Sequence, residues 1–138
     1  MRADTRRPSS AAFCPLHRSG TCRSCPHQGV RLDLQLARKQ RRVASLLSAA
    51  ARPVPEGAWL PPVASAPSRF RNKAKMVVSG RAAAPVLGVL GPDGGIDLRD
   101  CPLHAAEIEA ALPVLARTVS RLGIGPYDVG ARRGELKH

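Results

Sequence analysis

The residues in this chain best placed to do chemistry are its four cysteines. Three fall within twelve residues, in CPLHRSGTCRSC from Cys14 to Cys25, and the fourth, Cys101, opens a second CPLH 87 positions after the first. The gaps are seven residues between Cys14 and Cys22, two between Cys22 and Cys25, and seventy-five between Cys25 and Cys101. A two-residue gap lets a pair of thiolates chelate one centre while the turn between them aims backbone N–H groups at sulfur. Zinc and iron–sulfur sites both use it. A structural zinc site usually draws its second pair from another close couple, whereas here the two remaining sulfurs are single and far apart. Three close ligands plus one distant one is nearer to cubane ligation, and proline after cysteine, as at Cys14, Cys25 and Cys101, also follows the last ligand of some ferredoxin runs. Spacing alone leaves iron–sulfur, zinc and unliganded thiols open.

Other chemistry is less well supported. A cysteine nucleophile needs one thiol and a dedicated base, not four thiols at ligand spacing. Glu107, Glu109 and Glu135 lie in or beside regular elements with no evident carboxylate partner. His17, His27, His104 and His138 are read first as surface or outer groups, because four sulfurs already complete a tetrahedral site. In the repeated CPLH, proline stiffens the backbone beside sulfur, leucine packs, and histidine serves as a polar lid.

The elements that must position the sulfurs follow from periodicity. Residues 1–13 lack any pattern and read as a disordered basic arm. The cysteine segment is turn-rich, and from Leu32 to about Ala51 the apolar positions Leu32, Leu36, Val43, Leu46, Leu47 and Ala50 predict an amphipathic helix with Arg38, Lys39, Arg41 and Arg42 on its basic face, ended by Arg52-Pro53. Residues 53–68 are proline-rich and predict a linker, with Trp59 pinning it to a neighbour. In FRNKAKMVVSG, residues 70–80, a two-residue period predicts a strand with Phe70, Asn72, Ala74, Met76 and Val78 on one face and Arg71, Lys73, Lys75 and Val77 on the other. Phe70 is expected in the core. PVLGVLG, residues 85–91, predicts a second strand, and GPDGG, residues 91–95, a tight turn leading into IDLRD. Residues 105–122 predict a helix with a stripe of Ile108, Ala111, Leu112, Leu115, Val119 and Leu122, a kink or a restart at Pro113 and Gly123 as C-cap. The closing GELKH reads as the start of another strand, which points to an incomplete chain.

Composition narrows the partner. The formal net charge is +12 and the pI about 11.2. Residues 1–52 hold eleven bases against only Asp4 and Asp33. Such a balance makes nucleic acid the first partner to consider. No stretch nears the ~20 apolar residues of a membrane span and no apolar signal core opens the chain, so a cytoplasmic protein is expected. In a reducing compartment clustered cysteines are metal ligands more often than disulfides. With only Phe13, Trp59, Phe70 and Tyr127 as aromatics, the core must be small and built from Leu, Val and Ala.

Taken in order, CPLHRSGTCRSC, the basic helix, FRNKAKMVVSG, DLRDCPLH and GPYDVGARRGELKH resemble the N-terminal half of the bacterial RNA uracil-C5 methyltransferases, most closely the branch that modifies 23S ribosomal RNA. The resemblance spans residues 14–138. It implies that Cys14, Cys22, Cys25 and Cys101 hold a [4Fe-4S] cluster that organises the fold near the RNA surface. It also implies a reaction in which a cysteine thiolate adds to uracil C6, S-adenosylmethionine methylates C5 and a carboxylate removes the C5 proton. In that family those groups and the glycine-rich cofactor turn lie in a C-terminal domain, and no such motif occurs before His138, so none of the four cysteines here is carried over as the nucleophile.

The expected architecture is α+β. A small iron–sulfur region with the basic helix occupies 14–52, and a mixed central RNA-binding domain of short antiparallel strands and helices occupies 69–138, supplying Cys101 and stopping before the Rossmann-like methyltransferase domain. Such a chain is inactive alone. Expected RNA contacts are Arg71, Asn72, Lys73 and Lys75, then Arg132 and Arg133, on 23S ribosomal RNA; no protein partner is inferred. The competing function is a stand-alone zinc-dependent RNA-binding module with the same four thiolates.

Overall fold

The computed structural model describes residues 13–49 and 54–138; the expected basic arm, but for Phe13, and the Arg52-Pro53 helix stop lie outside the described residues. The architecture is α+β, with three helices and one three-stranded antiparallel sheet in the order β1-β2-β3 among the described residues. β1 is Val77–Arg81, β2 Ala84–Gly91 and β3 Gly94–Asp97; α1 is Pro15–Arg18, α2 Leu32–Ser48 and α3 Ala106–Leu122, with a 3-10 turn at Glu56–Ala58. Two tight turns make the sheet a meander. Arg81 pairs with Ala84 across the first, and Gly91 with Gly94 across the second, where Gly94 takes φ 123°, a conformation that favours glycine. Gly88 pairs with Val77 on one side and Asp97 on the other. A Cβ there would collide with the Ile96 carbonyl, so the central strand needs glycine at that point.

The core lies between this sheet and α3. Val78, Leu87, Leu112 and Ala116 form its buried centre, with Met76, Ile108 and Leu136 packed against them. The buried line along α3 is Leu112, Ala116 and Val119, while Leu115 and Leu122 of the expected stripe are 54% and 61% exposed. Steps of four, four and three from Ile108 tilt the contact line across the helix toward β2, and Ala116 admits the sheet closely where a leucine would not. α3 runs unbroken through Pro113 and ends at Gly123 with φ 65°, the expected left-handed cap.

The long strand expected over residues 70–80 is shortened. Only Val77 onward joins the ladder, because the backbone at Arg71 is already committed elsewhere. Its N–H donates to the Leu103 carbonyl at 2.8 Å, and its carbonyl accepts from the Ala105 N–H at 2.9 Å. Phe70 is 51% exposed rather than in the core. The alternation holds from Lys73 on, with Lys73 and Lys75 exposed, Ala74 and Met76 half-buried and Val78 buried. The closing segment forms single bridges, Pro126 with Leu136 and Asp128 with Arg133, and the Lys137 carbonyl accepts from the Val78 N–H at 3.0 Å, so it lines the free edge of β1 without becoming a strand.

Leu112→Ala empties the centre of a small core and is expected to cost about 2–5 kcal/mol, measured by urea unfolding; Leu115→Ala, at an exposed position on the same helix, should cost under about 1 kcal/mol. Equal losses would show that α3 packs differently.

Candidate metal centre

Each cysteine is placed by local backbone chemistry. Cys14 is the N-cap of α1, where Pro15 at the first helical position loses no hydrogen bond that the helix could have made. The Arg18 N–H donates to the Cys14 carbonyl at 3.1 Å, the Cys22 N–H to the Leu16 carbonyl at 3.0 Å, and Gly20 turns the chain between them with φ 79°. One helical turn therefore folds Cys22 back toward Cys14. The Gln28 N–H donates to the Cys25 carbonyl, and Gln35 of α2 donates from its side chain to the Val30 and His27 carbonyls, anchoring the loop to the helix. The second CPLH makes a tighter turn: Cys101 N–H donates to the Leu98 carbonyl and His104 N–H to the Cys101 carbonyl, both at 3.1 Å.

These turns bring all four sulfur residues into the wall of a single pocket, with apolar sides from Leu16, Leu98 and Leu103. Cys14 and Cys22 are each 8% exposed, Cys25 and Cys101 half-buried, and none is in a disulfide. Burial pushes the Cys25 thiol upward, its neighbours Cys101 and Cys22 push it further, the Arg71 guanidinium pulls it back, and Cys14 adds a last upward push. The donor set is four soft sulfurs in an apolar setting, the chemistry that zinc and iron–sulfur centres require. Among the described residues, no three His, Cys, Asp or Glu side chains converge tightly enough to hold a metal ion.

Two neighbours were not legible from spacing. His104 is 1% exposed and neither ring nitrogen has a hydrogen-bond partner; burial and then Arg71 lower its pKa, against a weaker upward pull from Glu109, so it stays neutral. It is a buried group and not a lid, whereas His17 does stand in the pocket wall. Gln28 also lines the pocket, with its side-chain oxygen buried and unpartnered.

The residues expected to meet RNA are divided. Arg71 lines the cysteine pocket. Asn72, Lys73 and Lys75 are exposed on the segment leading into β1. Arg132 and Arg133 are exposed in the turn closed by the Asp128–Arg133 bridge, where the Ala131 N–H donates to the Asp128 carboxylate at 2.7 Å and Arg132 takes φ 52°. No helix among the described residues is long and apolar enough to cross a membrane.

No protein-family profile matches the chain, and no solved structure matches it. Curated relatives do. The chain is 48% identical over 126 residues to the 23S rRNA (uracil(747)-C(5))-methyltransferase RlmC of Halothiobacillus neapolitanus, a match over 91% of this chain and 32% of that protein. The proteins of the same name from Serratia proteamaculans and Pectobacterium carotovorum are 46% and 44% identical over the same shares. The chain therefore spans about a third of the length of the curated relatives it matches, aligned with an N-terminal portion of them, and the resemblance read from the ordered motifs holds.

In the metal-free chain at pH 8, Cys25 should react with iodoacetamide more slowly than a free cysteine, since a raised pKa leaves less thiolate. The fold then holds that proton more tightly than the unfolded chain does, a stabilisation full below the ordinary thiol range and lost as pH rises through the raised value. Alkylation of Cys25 as fast as free cysteine would contradict this.

Proposed function

We propose that this chain is the N-terminal portion of a 23S rRNA uracil-C5 methyltransferase, in which Cys14, Cys22, Cys25 and Cys101 hold a [4Fe-4S] cluster and exposed cations meet ribosomal RNA. The observation that carries this reading is the meeting of Cys101 with the three N-terminal cysteines in one pocket, in a chain 48% identical over 126 residues to a protein named for that activity.

The cluster, when bound, supplies a four-point cross-link and a concentration of charge rather than methyl-transfer chemistry. The chain's residues do the rest. Leu16, Leu98 and Leu103 keep water from the sulfurs, and the two CPLH turns present Cys14 and Cys101 from opposite ends of the sequence. A link across 87 positions would tie the N-terminal loops to the sheet and α3, a connection that no packing between the described helices and strands makes. In this reading the methyl donor S-adenosylmethionine and the catalytic groups belong to the part of the relatives beyond the matched stretch, and no residue of this chain is assigned to either.

On the RNA side, Lys73 and Lys75 point to solvent two residues apart on an extended segment, a spacing that sets both cations on one side of the backbone and lets them follow a phosphate strand. Asn72 and the Arg132–Arg133 turn add polar and cationic groups. Arg71 is taken up by the pocket wall.

Purified without oxygen, the chain should carry about four iron and four acid-labile sulfides, and Cys101→Ser should lose them together with part of its folding cooperativity. Zinc alone would replace the cluster with a mononuclear site and overturn this reading of the pocket. Replacing Lys73 and Lys75 by Gln should weaken binding to a 23S rRNA fragment and reduce the slope of log affinity against log salt by about 0.7–0.9 per lost phosphate contact; an unchanged slope would remove these lysines from the interface.

A further inference from the structure

The pocket of four thiols contains a cation that its ligand set does not explain. Arg71 lines it together with all four cysteines. Its backbone is held on both sides by the loop that follows Cys101, through the Leu103 carbonyl and the Ala105 N–H. Arg71 and Cys101 are thus parts of one hydrogen-bonded unit. The ion pairs among the described residues are Arg31 with Asp33, Arg69 with Glu109 and Arg99 with Asp97; Arg71 has no carboxylate partner there. Half-buried in an apolar wall, an arginine without a counter-ion is costly unless an anion comes to it.

Gln28 presents the complementary anomaly. Its side-chain oxygen is buried in the same wall with no donor in reach. The two ends of an amide have the same shape, so a half-turn places an N–H donor where that oxygen stands. Such a donor has a use only if the pocket holds acceptors.

We infer that Arg71 is the charge partner of the cluster that the four cysteines hold, with the Gln28 amide as a hydrogen-bond donor to its sulfurs, and that Arg71 does not contact RNA. This rests on the cluster reading above. Four thiolates bring four negative charges that a cubane core only partly neutralises, and the reduction potential of such a cluster follows net charge and hydrogen bonds to sulfur. An adjacent fixed cation would make uptake of an electron by such a cluster easier.

The test uses the whole chain, purified without oxygen, as wild type, Arg71→Gln, Arg71→Lys and Gln28→Leu, with iron and sulfide content, midpoint potential by spectroelectrochemistry and salt dependence of RNA binding measured on each. The expected result is a midpoint more negative in Arg71→Gln than in wild type, a smaller negative shift in Gln28→Leu, and a value near wild type in Arg71→Lys, which keeps the charge. The RNA salt slope of Arg71→Gln should equal that of wild type. Should Arg71→Gln fail to retain iron, Arg71→Lys decides: retention there supports a charge role, and loss in both overturns it. A fully loaded Arg71→Gln with unchanged potential, or with a reduced salt slope, also overturns the inference while leaving the cluster reading intact. Wild type without iron would overturn the cluster reading itself, and the inference with it.

Discussion

Four sulfurs in one apolar pocket set the constraint on which the rest of this molecule turns. As a neutral thiol Cys25 can share the pocket, but its ionisation is opposed by burial and by the neighbouring Cys101, Cys22 and Cys14. Thiolate is the form that binds metal. The pocket can therefore hold its thiolates only with positive charge inside it or fixed in its wall. The pinned Arg71 is the wall's contribution, and its backbone hydrogen bonds to residues 103 and 105 explain why the strand predicted from residue 70 begins only at Val77.

Below the pocket, the sheet and α3 act as a platform. Their core is a few aliphatic side chains, Val78, Leu87, Leu112 and Ala116 at its centre, and it reaches the sulfurs through the loop from Leu98 to His104 and through Arg71 on the segment that leads into β1. Leu98 and Leu103 are each 6% exposed and line the pocket, so the same short loop closes the pocket and continues into α3. The N-terminal side is more loosely held. α2 buries none of its residues and packs against no other described helix or strand, and its anchorage is the Gln35 side chain on the preceding loop. Small apolar interiors supply little stability by themselves, which gives the pocket shared by the N-terminal loops and the Leu98–His104 loop its physical importance.

Much of the local structure was legible in the residue order because it rests on short-range rules. The turn at GPDGG, the glycine cap at Gly123, the amphipathic α2 and the single long α3 all follow from periodicity and from the conformations open to glycine and proline. The errors share one cause. Phe70 and Arg71 alternate as a strand would, yet the backbone at Arg69 and Arg71 pairs with a loop some thirty residues later, and a two-residue period carries no information about which partner takes the hydrogen bonds. Leu115 fits a helical stripe as well as Ala116 does, and the choice between them was made by the tilt of the helix on β2.

The cysteine spacing determined that one centre could be shared by sulfurs at both ends of the chain, because ligand number and the two-residue gap are properties of sequence. Composition determined the basic charge, and the periodicity of the apolar residues the α+β class. Only the tertiary structure decided that the pocket walls are leucine, that His104 is buried rather than a lid, and that one of the expected RNA-binding cations faces the sulfurs. Those outcomes depend on which distant backbone reaches an unpaired N–H or carbonyl first, and that competition is settled by packing across the whole fold.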